Sequence, residues 1–228
     1  MTSHGNVRLF GTNQAAIFAI AAAITTLAVS SAAAHPHVFV DGQAELLFDD
    51  QQRLTGVHNI WQFDAAFSEY AVQGLDADSD GDLSEAELKP LAKINVSALE
   101  EYEFFSYLTI GSDRALLLPP EDYWLEFENG RLTLFFTLPL EEPSMVGEYA
   151  MLEVFDREYF VEFGFPNDRP VQLKGAPAGC ASRHHAPEEL DTRIMSILNG
   201  ISQDQRELPP DLVQAVSSLA NYFAITCK

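Results

Sequence analysis

Residues 122–138 read DYWLEFENGRLTLFFTL. Two runs rich in aromatic and β-branched residues flank Asn129-Gly130, the pair best able to adopt the positive φ angles of a two-residue hairpin turn. An antiparallel hairpin is therefore predicted here. The same composition recurs in YLTIG (107–111), RALLL (114–118), EYAMLEVF (148–155) and YFVEFGF (159–165). Upstream, HVFVDGQAELLF (37–48) and RLTGVHNIWQF (53–63) flank the polar turn Asp49-Asp50-Gln51-Gln52 and predict a second, longer hairpin closed by residues 48 and 53. Many short strands joined by turns predict an α+β fold: an antiparallel β-sandwich or open barrel with a helical pair inserted in it.

The insertion begins where the period changes. Phe63, Phe67, Tyr70, Ala71 and Leu75 recur at helical spacing, and on the far side Leu88, Leu91 and Ile94 form a second apolar stripe. Ser84 and Glu87 make an S-x-x-E capping box for the second helix, which carries Pro90 as an expected kink and is predicted to end near Tyr102. Between the two lies DADSDGDLSEAE, residues 76–87. Asp76, Asp78 and Asp80 hold loop positions 1, 3 and 5, Gly81 holds 6, Asp82 holds 7, Ser84 holds 9 and Glu87 holds 12 of an EF-hand calcium loop. Calcium needs six to eight hard oxygens; alternate acidic side chains supply them, Asp82 adds a backbone carbonyl, and Glu87 returns with both oxygens. Leu83 is expected to point into the core between the helices. A single loop of this kind favours a structural role over the groove-opening switch of paired loops.

Residues 1–34 contain no Asp or Glu and one Arg, Arg8, and their apolar run ends in Ala32-Ala33-Ala34. That pattern predicts a cleaved signal peptide, a mature chain starting at His35, and a soluble protein of the periplasm. No Cys stands at the cleavage point, which excludes a lipoprotein. The formal net charge of −21 excludes nucleic acid and anionic lipid as partners. Cys180 and Cys227 are the two cysteines, expected as a disulfide that ties the C-terminal segment back and contributes about 4 kcal/mol by loop closure. Beyond Leu173 the composition turns to Gly, Ala and Pro, and helical patterns follow near 190–198 and 212–223. The expected organisation is a signal peptide (1–34), a β-rich domain (35–174) with the insertion at about 64–102, and a linker with a helical clasp (175–228).

The mature start HPHVFVD places His35 and His37 on one face of a strand, about 7 Å apart, a spacing that suits zinc, copper or nickel. The α-amine of His35 could join the two imidazoles in a histidine brace. Pro36 excludes the amino-terminal copper motif that needs a deprotonated amide at position 2. A hairpin closed by 48 and 53 sets His37 opposite Asp64, the favoured extra ligand, with His58 secondary. His184-His185 are read as a polar pair in a loop.

HPHVFVD, WQFDAAFSEY (61–70), the acidic loop, VFDREYFVEF (154–163) and the late Cys together resemble a bacterial family of unknown function labelled as an uncharacterised ABC-type transport system periplasmic component, with members likened to zinc-uptake accessory proteins. The resemblance implies a periplasmic protein working beside an inner-membrane permease of the nickel/cobalt exporter-like class. It marks His35 and His37 as the opening motif, and Trp61, Phe63, Asp64, Phe67 and Ser68 as a second block.

The leading expectation is a non-enzymatic protein that captures zinc at His35 and His37 for a permease and carries a structural calcium ion. A calcium-stabilised interaction module, with Trp61, Tyr123 and Trp124 as core or contact residues, is the first alternative. A histidine-brace copper oxidase is the second. G-x-S-x-G, H-E-x-x-H and Gly-rich phosphate-loop motifs are all absent from the sequence.

Overall fold

The structure is a computed structural model, and it describes residues 36–165, 171–187, 191–198, 200–201 and 208–227. The predicted signal peptide and His35 lie outside the described residues. Two mainly antiparallel sheets share one core, with helices joined to them, so the fold is mixed α+β.

The opening hairpin is β1 (Val38–Phe48) and β2 (Leu54–Phe63), with inward residues such as Val40, Ala44, Leu46, Val57 and Trp61 fully buried. Next come α1 (Ala65–Ala71), α2 (Glu85–Leu99) and a 3-10 turn over Glu100–Phe105. β3 (Ser106–Ile110), β4 (Asp113–Ala115), β5 (Tyr123–Glu128), β6 (Arg131–Ser144), β7 (Ala150–Val154), β8 (Val161–Gly164) and β9 (Val171–Lys174) follow. The chain then forms β10 (Ala181–His185), α3 (Thr192–Leu198), α4 (Pro210–Ser217) and β11 (Asn221–Thr226). The first sheet runs β5-β6-β2-β1-β8 with β9 also on β1, and the second runs β10-β11-β7-β3-β4.

The Asn129-Gly130 hairpin forms as predicted. Both residues have positive φ, 53° and 77°, and β5 and β6 pair from Glu128 and Arg131 outward. The first hairpin differs in register. Asp49 accepts hydrogen bonds from the Arg53 backbone N–H and from its guanidinium Nε, both at 2.8 Å, drawing Arg53 into the turn. Gln52 takes a left-handed conformation (φ 62°), Phe48 pairs with Leu54, and after an irregularity at Leu47/Phe48 the ladder runs from Leu47–Gly56 to Val40–Phe63. From Val40 to Leu47 each β1 residue therefore faces a partner two positions beyond the one predicted.

The first sheet is not wholly antiparallel, because β8 and β9 both join β1 in parallel. On the inner face of this sheet Trp61 packs edge-on against Phe136 and Phe163 at 4.8 Å, and it lies 6.3 Å from Phe105 of the 3-10 turn. Phe104 and Phe105 enter this core from a backbone in which Glu103, Phe104 and Phe105 all have positive φ, a costly arrangement for side-chain-bearing residues.

The C-terminal segment carries helices α3 and α4 at the predicted helical patterns, but it also carries two strands that its sequence pattern does not predict. Its Gly/Ala/Pro stretch leads into β10, and the apolar pattern around 212–223 divides between α4 and β11, an inner strand paired with β7 and β10. The reason is burial: Phe223 and Ile225 alternate into the common core, where strand pairing outweighs local helical periodicity. Asn221, buried beside them, donates from Nδ2 to the Phe163 carbonyl at 2.7 Å and so links the two sheets. The Cys180–Cys227 disulfide forms as expected, but it joins the ends of β10 and β11, and the β11–β7 ladder holds the segment to the body.

Candidate functional site

The loop at residues 76–87 is held between α1 and α2. Asp64 caps α1 by accepting from the Phe67 N–H at 2.9 Å, and the buried Ser68 hydroxyl accepts from the Leu132 N–H at 2.9 Å, fastening α1 to β6. α2 starts with the predicted capping box, the Ser84 side chain and the Glu87 carboxylate each serving the other's backbone N–H. Pro90 sits inside α2, which runs on to Leu99. Leu88, Ala92 and Val96 bury one face, and Leu83 packs against the core as expected.

Within the loop, Asp76, Asp78 and Asp80 bring carboxylate oxygens within 4.8 Å of one another, the one such cluster of three potential ligands among the described residues. The backbone folds toward these acids: Gly81 N–H donates to Asp76 Oδ2 (3.2 Å), Asp80 N–H to Asp78 Oδ1 (3.3 Å) and Asp82 N–H to Asp80 Oδ1 (2.9 Å). Gly81 has φ +90°, the sharp turn that position 6 requires. Asp76 Oδ1 is shielded from solvent and has no hydrogen-bond partner, an arrangement that suits a cation ligand. Glu87 Oε1 accepts from Ala77 N–H (2.7 Å), and Oε2 accepts from the Ser84 hydroxyl (2.7 Å) and N–H (2.9 Å). These bonds, the Ser84 side chain first, hold the Glu87 carboxyl down to about 2 and keep it ionised. The donor set of hard, charged oxygens fits calcium.

The histidine end of the protein is built differently. His37 N–H donates to the Phe160 carbonyl at 2.8 Å, and its ring lies 4.7 Å from the Phe160 ring. The 156–161 turn presenting Phe160 is organised by Asp156, a buried carboxylate that accepts backbone N–H groups of Glu158 (2.8 Å), Phe160 (2.9 Å) and Val161 (3.0 Å). Nothing in the sequence spacing singled out Asp156; its part is set by the loop's fold. Beside this strand end opens an apolar cleft of about 440 Å³ whose walls include Val38, Phe67, Tyr102, Phe105 and Phe160.

The shifted register removes the predicted His37–Asp64 facing pair. Asp64 instead faces Phe39, donating its N–H to the Phe39 carbonyl (2.9 Å) while its Oδ2 accepts the Phe39 N–H (3.0 Å). Both carboxylate oxygens thus already accept backbone N–H groups. His58 pairs with Glu45, eight residues along β1 from His37 or about 26 Å, so the two histidines are not brought together. Its Nδ1 lies 2.9 Å from Thr137 Oγ1, its ring stacks near Trp124 and Phe135, and burial pushes its pKa down. His184 and His185 lie on β10, not in a loop; His184 reaches Asn221 Oδ1 at 2.9 Å and stacks on Phe223, and His185 stacks on Tyr222.

The sequence matches the DUF1007 family, whose description is protein of unknown function, over residues 20–227. The chain belongs to that family. An uncharacterized protein of Haemophilus influenzae is 22% identical over 176 residues, covering 76% of this chain and 82% of its own. An uncharacterized 15.5 kDa protein of Spirochaeta aurantia is 25% identical over 111 residues, covering 49% of this chain and 79% of its own. No helix among the described residues is long and apolar enough to cross a membrane. The disulfide fits an oxidising compartment.

Proposed function

We propose that this DUF1007 protein is an exported, non-catalytic metal-handling protein that is stabilised by one calcium ion and passes a transition metal, zinc foremost, to a membrane permease. The observation that carries the reading is the convergence of Asp76, Asp78 and Asp80 at the start of a loop whose Asp76 Oδ1 is buried without a partner. Asp76, Asp78, Asp80 and Glu87 would hold calcium through side chains and Asp82 through its carbonyl, with Ser84 serving chiefly as the cap of α2. The ion would neutralise carboxylates crowded between two helix ends and so lock α1 and α2 against the sheet.

The zinc part of the reading rests on His37, whose strand end is held by Phe160, together with His35, which lies outside the described residues. Copper or nickel would suit the same nitrogen donors. The transport role is carried by the likeness of the opening motif to periplasmic transport components, with a nickel/cobalt exporter-like permease as the partner.

Elemental analysis of the mature protein purified from the periplasm, beside a variant with His35→Ala and His37→Ala, tests both parts. Calcium near one equivalent in both proteins, with zinc near one equivalent in the unsubstituted protein alone, is expected. Absence of calcium overturns the loop assignment, and zinc unaffected by the substitutions overturns the histidine site.

A further inference from the structure

β5 is an edge strand: β6 pairs with one side, and among the described residues no strand pairs with the other. A cleft of about 410 Å³ follows it, lined by the successive residues 122–128 and walled opposite by Leu83, Glu85 and Leu88 at the start of α2. A cleft that touches consecutive residues of one strand runs along its backbone edge, where N–H and C=O groups can accept another strand.

The side chains around this edge divide by chemistry. On β5, Leu125 is buried and Tyr123 and Phe127 turn the same way, toward the apolar side that includes Leu88. Asp122, Glu126 and Glu128 stand exposed on the other face with Trp124, whose Nε1–H donates to Glu126 at 3.0 Å. Glu85 adds an exposed carboxylate from the opposite wall. Among the described residues no Lys or Arg lines the cleft.

We propose that this edge is a docking site for an extended segment of a partner protein in which basic and apolar residues alternate. The segment adds as a strand to β5. Its Lys or Arg side chains fall beside Asp122, Glu126 and Glu128, and its apolar side chains fall toward the half-buried Leu83, Tyr123 and Phe127. Charge complementarity selects this occupant: a neutral or acidic strand would meet uncompensated carboxylates along one whole face. Leu83 and Glu85 of the opposite wall belong to the 76–87 loop, but the docking edge is β5 itself, so docking does not require a metal ion to be bound at either candidate centre.

The test uses the full mature chain and a fluorescein-labelled peptide of alternating lysine and valine, followed by anisotropy. Binding is expected, weakened by salt, and lost when alternate peptide nitrogens are methylated so that one edge cannot donate hydrogen bonds. Glu126→Lys with Glu128→Lys should weaken binding by about tenfold or more, whereas Glu142→Lys with Glu148→Lys, at exposed positions outside the cleft, should leave it within about twofold. Failure of the unmethylated peptide to bind overturns the proposal. Equal binding of the methylated peptide overturns strand addition, and equal losses in the two double variants reduce the effect to net charge and overturn the site.

Discussion

The loop at residues 76–87 and the strand end at His37 are both candidate metal centres, but they are assembled by different means. The loop draws every donor from twelve consecutive residues, and its internal bonds, Gly81 to Asp76 and Ala77 to Glu87, join residues no more than ten apart. His37 is held by Phe160, and the turn carrying Phe160 is held by Asp156, so its surroundings depend on a parallel strand pairing across more than a hundred residues. A local site tolerates errors in distant register; a nonlocal one does not. Asp64 shows the difference, since a two-residue shift turns an expected ligand into the cap of α1 and an anchor of β1.

The largest expected effect breaks the loop. Glu87→Gln or Asp76→Ala should lower the melting temperature in excess calcium by about 10 °C, because ligand at a thousand times its Kd stabilises by about 4 kcal/mol, and should leave that temperature indifferent to chelator. Calorimetry with and without chelator reads this directly, and a preserved calcium response would remove the loop as a binding site.

Ser68→Ala tests the fastening of the helical pair to the sheet. It leaves the Leu132 N–H without its partner in a buried setting and should cost about 1–3 kcal/mol in chemical denaturation, with or without calcium. Asp64→Ala should cost about 1–2 kcal/mol by loss of the cap while leaving zinc affinity unchanged. Reduced zinc affinity at unchanged stability would instead restore Asp64 as a ligand, and with it the close equivalence of the two centres.

The smallest effect concerns protons. Glu87 is held near 2 in the fold against an ordinary 4.5, so its contribution is fully present above about 4.5 and is lost as pH falls toward 2. In calcium-free buffer the unsubstituted protein should therefore lose its stability advantage over Glu87→Gln across that window. An advantage independent of pH would show that the carboxylate bonds to Ala77 and Ser84 do not matter in solution.

Much of the molecule is legible in its residues alone. Asn129-Gly130 dictates a hairpin because few residue pairs accept two successive positive φ angles, and the Ser84–Glu87 box dictates where α2 begins. The acidic loop stands out because calcium coordination requires particular residue types at constant offsets. The pairing of Cys180 with Cys227 follows from there being two cysteines in a chain with an export leader pattern.

The tertiary structure decides the rest. Whether Tyr222 and Phe223 continue a helix or enter a strand depends on the open edge of β7 beside them, which the local pattern does not contain. The register of β1 on β2 turns on one side chain, Asp49, gathering Arg53 into the turn, and from it follow the neighbours of Asp64 and His58. The edge of β5 is unpaired by any strand among the described residues because the sheet ends there. Short-range chemistry is written in adjacent residues; pairing partners and edges are settled when the whole chain competes for one core.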